Sequence, residues 1–308
     1  MPTHKHNQTD MNARLIQEFS KVTTVIIRSV GERTTDECEE ALRRSGFSNI
    51  MRIVDAIPFT ECLHKTFQRG IDAGRPWTLC IDADVIVKLD GVVGLIKLAS
   101  EADKSIFEIQ VNILDKFQGK TRHAGNHLYR TKYLKQALEF IPQEFEAIRP
   151  ESYMIKCMKK AGYLTVTNNE VLLGIHDFDQ FYHDIFRKCF IYAHKFLHES
   201  VMILPYWRKR AKHDNVFKVA LLGFSKGLQY LEKASINKNQ YHKLKEESLR
   251  KLGISEKDRD LKQVDVREVI SQFEYNRTNE AEWLLTVPFK NLIRHLFDRI
   301  IRRLSCLE

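Results

Sequence analysis

Two aspartates separated by one residue are the first feature of this sequence that could carry out chemistry. Asp82 and Asp84 follow the apolar segment 77–81, which has the composition of a buried strand. Carboxylates with this spacing after a strand can both turn toward one ligand. Their oxygens suit a hard divalent cation that is bridged by a pyrophosphate. The alternative is that both aspartates are ordinary turn residues. The predicted elements around them help to distinguish the two interpretations.

The residues before this pair predict alternating strands and helices. Short β-branched or apolar segments at 23–28, 50–54 and 77–81 predict three buried strands. Helices are predicted between them, from Thr34 or Thr35 to about Ser45 and from Pro58 or Thr60 to Gly74. This alternation predicts an α/β fold, with a parallel sheet covered by helices. In such sheets ligands bind beyond the carboxyl ends of the strands.

Polar residues stand at the carboxyl end of each predicted strand. Arg28 and Ser29 follow the first strand, Asp55 follows the second, and Asp82 and Asp84 follow the third. Because the carboxyl ends of parallel strands meet at one edge of a sheet, we expect these side chains to share a ligand site.

These segments resemble a GT-A-fold nucleotide-sugar glycosyltransferase of the family-2-like kind over the first 180 or so residues. The matching segments are TTVIIRSVGERT at 23–34, the strand that ends at Asp55, and RGIDAGRPWTLCIDADVIV at 69–87. The resemblance implies a Rossmann-like mixed sheet with helices on both faces. It also implies a D-x-D motif that holds Mn²⁺ or Mg²⁺ on the diphosphate of a nucleotide-sugar donor, where the metal neutralises the leaving group.

The same resemblance assigns roles around the donor nucleotide. Asp84 is implied as the main metal ligand, Asp82 as a neighbour of the ribose or the metal, and Asp55 as a neighbour of the nucleobase. The edge of the nucleotide pocket is implied to consist of Arg28, Ser29, Gly31 and Arg33.

Two basic residues in the second predicted helix add a phosphate-binding candidate. Lys65 and Arg69 are one turn apart, within reach of a phosphate group. A solvated basic helix face is the alternative interpretation of the same spacing.

Later segments extend the resemblance toward the sugar and the acceptor. The segment 125–130, which contains Asn126 and His127, resembles the stretch that lies over the donor sugar and acceptor. Glu151 stands where family-2 enzymes carry an acidic pair that includes the general base, although the second residue here is Ser152. Glu151 is therefore the candidate catalytic base. An acid that complements the dipole of a helix N-terminus is the alternative.

A histidine after a late apolar strand is the last metal-site candidate. The resemblance implies that His176 completes the site begun by Asp84, as a neutral imidazole ligand. Asp177, which follows it, is a candidate cap for the next helix, predicted from 177 to about 198.

Composition limits the class of protein. The chain has 308 residues, a net charge of +9 and 43% hydrophobic residues, which is ordinary for a soluble globular protein. It has no apolar run of about 18 residues and no N-terminal signal pattern, so we expect a cytoplasmic location. The excess positive charge favours an anionic partner, but no nucleic-acid-binding motif is present. Residues 1–20 are expected to be frayed.

The C-terminal third differs in character from the rest. We predict a GT-A domain over 1–204 and a helical region over 205–308. Within the latter, 288–304 has apolar residues at helical spacing and Lys and Arg elsewhere, which predicts a basic amphipathic helix. Such a helix either binds an anionic membrane surface, docks on its own domain or forms a dimer contact.

Together these observations predict a metal-dependent glycosyltransferase. It would move a sugar from a nucleotide diphosphate donor to a glycan or lipid-linked acceptor at the inner membrane face, in cell-surface polysaccharide synthesis. A sugar nucleotidyltransferase is the first alternative, but that class carries a Gly-rich loop with a basic residue after the first strand, where only Gly31 and Arg33 stand. The second alternative is an inactive GT-A-fold scaffold at the membrane.

Overall fold

The computed structural model describes residues 3–195, 197–232, 234 and 241–258. The described strands are β1 (Thr23–Ser29), β2 (Ile50–Val54), β3 (Trp77–Asp82), β4 (Val85–Val87), β5 (Ile106–Asp115), β6 (Lys120–His123), β7 (Asn126–Arg130) and β8 (Leu164–His176). The described helices are α1 (Thr3–Lys21), α2 (Thr35–Arg44), α3 (Phe59–Ala73), α4 (Leu89–Glu101), α5 (Leu134–Glu139), α6 (Pro150–Lys160), α7 (Tyr182–Lys195), α8 (Leu197–Arg210), α9 (Asn215–Gln229) and α10 (His242–Leu252).

The strands form one mixed sheet in the order β2-β1-β3-β7-β5-β8-β4, and β6 pairs with β5. Strands β1, β2 and β3 are parallel to one another, whereas β7 runs antiparallel to both of its neighbours. Every residue of β1 is buried, and α2 and α3 both contact that strand. A strand that is buried on both faces is typical of a sheet covered by helices. The predicted α/β class, with a Rossmann-like mixed sheet, is therefore confirmed.

The three predicted strands and the two helices between them are confirmed at nearly the predicted boundaries. The helix expected to begin at Thr34 or Thr35 begins at Thr35. The next helix ends at Gly74, which has φ +65° and donates its N–H to the Ile71 carbonyl oxygen at 3.0 Å. A left-handed residue at this point closes a helix most easily when it is glycine.

The N-terminal segment departs from expectation. The sequence predicts that residues 1–20 are frayed, but α1 spans Thr3–Lys21, so that prediction is wrong. Ile16 and Phe19 lie on one side of the helix and are both buried. The Phe19 ring lies 6.4 Å from that of Trp77, between centroids. Burial of this apolar face stabilises the helix, although the polar composition of the segment does not favour one. Tertiary packing therefore determines that α1 forms.

The segment after β8 is tied to the sheet. Trp207 of α8 is buried and donates its indole N–H to the Phe117 carbonyl oxygen at 2.6 Å, and the Tyr206 hydroxyl donates to the Lys116 carbonyl oxygen at 3.1 Å. Residue 204, the predicted domain boundary, lies inside α8, and Met1–Ile270 form one compact unit. The second unit, Ser271–Glu308, contains the predicted basic helix 288–304 and lies outside the described residues.

No helix in the described part of the chain combines the length and the apolar character that crossing a membrane requires.

Close contact between α7 and α9 depends on glycine. A Cβ at Gly223 would lie 2.4 Å from the Phe186 carbonyl oxygen. Backbone cannot move aside as a flexible side chain can, so Gly223→Ala is expected to lower the free energy of unfolding by about 1–3 kcal/mol, the usual cost of overpacking. Ser225→Ala, at an exposed position of the same helix, is the control and should change it by less than about 0.5 kcal/mol. Urea denaturation of both variants measures the difference, and equal stabilities would contradict the packing described here.

Candidate functional site

The carboxyl ends of β1 and β3 open into a cleft of about 810 Å³. Its lining includes Arg28 and Ser29 from β1, Asp82 from β3, and Asp84 just beyond it. Four of the five predicted strand-end residues therefore line one concave site. Further lining comes from β7, β8, α6 and α7, which contribute His127, His176, Glu151 and Lys188.

Arg28 is the centre of the first polar cluster in the cleft. Its guanidinium donates to Asp82 Oδ1 at 2.8 Å and to Glu151 Oε1 at 2.7 Å, and its side chain is only 3% exposed. Burial opposes the charged form, but the two carboxylates outweigh it and raise the pKa of Arg28 well above its ordinary value. The arginine therefore stays charged and joins the end of β3 to the start of α6.

Glu151 is held by three donors. Besides Arg28, the Tyr129 hydroxyl donates to Oε1 at 2.8 Å, and His127 Nε2 lies 3.2 Å from Oε2. Burial raises the pKa of the carboxyl, but Arg28 and His127 outweigh burial and hold it well below its usual range. A carboxylate with so low a pKa has little affinity for a proton, which makes it a weak general base in this arrangement. The base role assigned to Glu151 stays a prediction.

His127 lies between two carboxylates. Its Nδ1 is 2.5 Å from Glu108 Oε1, its Nε2 faces Glu151, and its ring stacks on Tyr129 with centroids 5.6 Å apart. Burial lowers the pKa of the imidazole, but Glu151 and Glu108 together raise it to about 10. His127 is therefore an imidazolium at neutral pH, and it reaches the cleft as a cation.

Asp84 belongs to a second cluster, which is formed with the turn that follows β8. His176 Nε2 lies 3.3 Å from Asp84 Oδ1, and His176 Nδ1 lies 2.9 Å from Asp177 Oδ2 and 3.1 Å from Asp115 Oδ2. Burial opposes charge on both partners. For Asp84, the cations His176 and Lys188 outweigh burial and hold its pKa well below normal; for His176, the carboxylates Asp177 and Asp84 raise its pKa well above normal.

The positions of these residues follow from local structure. Val85 pairs with His176 across β4 and β8, which places Asp84 beside the end of β8. The Asp177 N–H donates to the Asp84 carbonyl oxygen at 2.9 Å, and Asp177 has φ +60°. The following helix begins at Tyr182, so Asp177 does not cap it, and the predicted single helix over 177–198 is wrong at its start.

Lys188 of α7 is a member of this cluster that the sequence did not single out. Its Nζ donates to Asp84 Oδ2 at 2.8 Å and also to Asp177 Oδ1. It stands 104 residues from Asp84 in the chain, on a helix with many other polar residues. No local pattern marks such a residue, because only the packing of α7 on the sheet brings it to Asp84.

The donor atoms at this point have the chemistry of a metal site. One ligand atom each from Asp84, His176 and Asp177 lies within 4.8 Å of the others. Carboxylate oxygens and imidazole nitrogens bind Mn²⁺, and carboxylate oxygens bind Mg²⁺. An ammonium group, however, already bridges the two carboxylates. Asp82 stands apart from this set, because Arg28 holds its Oδ1.

Several predicted nucleotide-binding residues do not line the cleft. Asp55, Lys65 and Arg69 are exposed, and Lys65 pairs with Glu61 on its own helix at 3.3 Å. Arg33 forms an ion pair with Asp179 and donates to a carbonyl oxygen at position 258 at 2.8 Å. The sequence placed these residues on the right elements but could not show which way their side chains point.

Ser29, Gly31 and Asn126 serve the local backbone. The Ser29 hydroxyl donates to Glu32 Oε2 at 2.9 Å and accepts the Gly31 N–H at 3.1 Å, where Gly31 has φ +83°. Asn126 is 1% exposed, and its amide group bonds the backbone N–H and carbonyl of Val111 in the neighbouring strand. Its predicted contact with a sugar stays untested, but its amide is already in use within the sheet.

The wall of the cleft is rich in positive charge. The lining cations in addition to Arg28 are Lys120, Arg122, Arg149, Arg187, Lys188 and Lys195. Burial first, and then the nearby charges of Arg149, Arg122 and Lys188, lower the pKa of Lys195 to about 7. An anion bound among these groups would relieve their mutual repulsion, so the wall suits a phosphate or diphosphate.

Comparisons with known proteins give likeness in structure only. No protein-family model and no curated protein matches the sequence. The chain is similar to the crystal structure of a glycosyltransferase involved in the glycosylation of the major capsid of PBCV-1, with TM-score 0.35 and 12% identity over 51% of this chain and 94% of that one. It is also similar to a CMP:2-keto-3-deoxy-manno-octonic acid synthetase complexed with CTP, with TM-score 0.37 and 11% identity over 50% of this chain and 92% of that one.

Proposed function

We propose that this protein is a glycosyltransferase, which binds a nucleotide-diphosphate sugar in the cleft and passes the sugar to a glycan or lipid-linked acceptor. The observation that carries the proposal is the meeting of Arg28, Asp82 and Asp84, from the ends of two parallel strands, with a basic wall in one cleft. Ligands of open α/β sheets bind at this edge, and the wall complements a diphosphate.

The chemistry of transfer explains why such a wall is useful. The acceptor hydroxyl oxygen forms a bond to the anomeric carbon, and the bond from that carbon to the diphosphate oxygen breaks. The diphosphate keeps the electron pair and gains negative charge, while the hydroxyl proton passes to a base or to water. Cations fixed beside the leaving oxygen stabilise this charge without reorganisation, which lowers the barrier.

A sugar nucleotidyltransferase is a less suitable interpretation of the same cleft. That class is expected to use a basic residue in a Gly-rich loop after the first strand, and Arg33 is the residue that stands there. Its guanidinium is engaged by Asp179 and by the backbone at position 258. The cations of the cleft instead come from β1, β6, α7 and the residue before α6, which favours a bound diphosphate over a triphosphate held by the first loop.

The test is a thermal-shift screen of UDP-, GDP-, CMP- and dTDP-sugars, each with Mn²⁺, with Mg²⁺ and with EDTA. A ligand at about 100 times its Kd adds about 2.7 kcal/mol to the stability of the native state, and the melting temperature rises accordingly. Lys195→Met is expected to weaken binding about tenfold, because bound phosphates favour the charged form of Lys195 and that charge is lost. Lys65→Met removes the same charge from an exposed position outside the cleft and should bind like the wild type.

Analysis of the products then separates the candidate activities. Release of a nucleoside diphosphate together with a glycosylated acceptor supports the proposal. Formation of a nucleotide sugar and pyrophosphate from a nucleoside triphosphate would replace it with the nucleotidyltransferase. A protein that shifts with none of these ligands, or that loses as much binding in Lys65→Met as in Lys195→Met, would not be a transferase acting at this cleft.

A further inference from the structure

We propose that Lys188 supplies the cation at the Asp84 site, and that its ammonium group keeps a divalent metal ion out of that site. The sequence predicts Mn²⁺ or Mg²⁺ at this point, with Asp84 and His176 as ligands. The exclusion of metal stands on the geometry of this cluster alone. The further statement that the ammonium serves a bound diphosphate rests on the proposed function.

The ammonium group of Lys188 lies where a metal ion would have to bind. Lys188 Nζ donates to Asp84 Oδ2 at 2.8 Å and to Asp177 Oδ1, so it lies between the two carboxylates that a metal ion would have to share. Mg²⁺ binds oxygens at about 2.0–2.1 Å and Ca²⁺ at about 2.3–2.6 Å. An ion at such distances from the same two oxygens would overlap the Nζ position and repel its charge. Metal and ammonium therefore exclude each other here.

Lys188 leaves one oxygen of each carboxylate without a hydrogen bond from its ammonium group. Asp84 Oδ1 and Asp177 Oδ2 are buried and have no hydrogen-bond partner of good geometry among the described residues. They face opposite nitrogens of one imidazole ring, since Oδ1 is 3.3 Å from His176 Nε2 and Oδ2 is 2.9 Å from Nδ1. Each of these two oxygens therefore already has a nitrogen of His176 as its neighbour.

The carboxylates of this cluster are already paired with cations of the protein. Asp84, Asp115 and Asp177 are buried, and Lys188 and Arg122 already pair with them; Arg122 Nε lies 2.6 Å from Asp115 Oδ2. Buried charges are stable only when they are paired, and an added divalent ion would need more carboxylate than the described cluster holds. The site carries its own cation instead of taking one from solution.

Lys188 is also well placed for a ligand. It lines the cleft, with a side chain that is 20% exposed, while Asp84 behind it is 11% exposed. An ammonium whose far side is bound to two carboxylates is fixed in position and still presents charge to the cleft. A fixed cation of this kind performs the task of a metal ion at a departing diphosphate.

The test uses Mn²⁺ alone, measured by electron paramagnetic resonance and calorimetry on the full chain. Wild-type protein is expected to bind no Mn²⁺ with a Kd below about 1 mM, the weak end of the range for oxygen-ligand sites. Lys188→Met is expected to bind it at least tenfold more tightly, because two carboxylates then lack a cation. Lys120→Met removes a charge from an exposed residue of the same cleft and should bind Mn²⁺ no better than the wild type.

Three outcomes would overturn the proposal. They are wild-type binding of Mn²⁺ at micromolar concentration, no gain in a folded Lys188→Met variant, and an equal gain in Lys120→Met. If Lys188→Met melts below the assay temperature, Lys188→Gln is measured instead, because its amide group can still donate hydrogen bonds to the carboxylates while the charge is lost. This second variant is expected to fold and to bind Mn²⁺ more tightly than wild type, and no gain there would also overturn the proposal.

A separate measurement tests the role of Lys188 toward a bound diphosphate. Any nucleotide sugar that shifts the wild-type melting temperature should do so equally in EDTA and in Mn²⁺, and Lys188→Met should lose at least tenfold in affinity in EDTA. Dependence of the shift on metal would contradict this role. Absence of any nucleotide binding would contradict the proposed function. It would not affect the exclusion of metal, which the Mn²⁺ measurement tests independently.

Discussion

Arg28→Met is expected to lower the free energy of unfolding by about 3–5 kcal/mol, the usual loss when one partner of a buried ion pair is removed. The reason is that Glu151 and Asp82 both accept hydrogen bonds from this guanidinium, and Glu151 is 8% exposed. Without Arg28, the Glu151 carboxylate would stay buried with less positive charge around it. Urea denaturation followed by tryptophan fluorescence measures the change.

A double-mutant cycle shows whether the loss comes from this ion pair. Glu151→Gln alone leaves Arg28 buried with one carboxylate fewer, and the combination Arg28→Met/Glu151→Gln removes both charges of the pair. We expect the double variant to be more stable than the sum of the single changes by about 1–3 kcal/mol. Arg69→Met, on the exposed face of α3, should change stability by less than about 0.5 kcal/mol. Strict additivity would mean that Arg28 and Glu151 do not stabilise each other.

Stability is expected to fall as the pH rises from about 6.5 to 10, and His127 is expected to cause a large share of the fall. The pKa of His127 is about 10 in the folded protein, compared with about 6.5 in an unfolded chain. The folded state therefore binds the proton more tightly. The contribution of His127 to stability is complete below pH 6.5 and disappears as the pH passes through its pKa in the folded state. The raised pKa corresponds to a contribution on the order of 5 kcal/mol.

The measurement compares unfolding free energies of the wild type and His127→Gln at several pH values between 6 and 10. The difference between the two proteins should shrink as the pH rises, because the wild type loses what the variant never had. His64→Gln, at an exposed position on α3, is the control and should follow the wild-type curve. A difference that stays constant across this range would mean that the imidazole between Glu108 and Glu151 is neutral.

The two clusters beneath the cleft share one design. Each places a cation between carboxylates: His127 lies between Glu108 and Glu151, and Lys188 bridges Asp84 and Asp177. Such pairs fix side chains in position, because leaving either charge unpaired in a buried site is costly. A ligand in the cleft therefore meets cations that carboxylates already hold in position.

The amino-acid sequence alone determined the elements and the edge of the sheet where the site lies. Short apolar or β-branched segments predict the buried strands, and apolar residues three or four positions apart predict the helices, so both patterns are local in the sequence. Strand ends follow from the strands, which is why the strand pattern by itself predicts that Arg28, Ser29, Asp55, Asp82 and Asp84 come together. Only Asp55 does not line the cleft. The same local reasoning failed at α1, whose helix depends on the burial of Ile16 and Phe19 against the sheet.

Only the tertiary structure decided which side chains face one another in the cleft. Lys188 meets Asp84 across 104 residues of chain and Arg28 meets Glu151 across 123, distances over which no periodic pattern survives. Conversely, Lys65 and Arg69 have suitable spacing but lie on the solvent side of α3. A sequence records the direction of a side chain relative to its own helix or strand. The direction relative to another element is set when the two pack, and that step determines whether the cation beside Asp84 is a metal ion or a lysine.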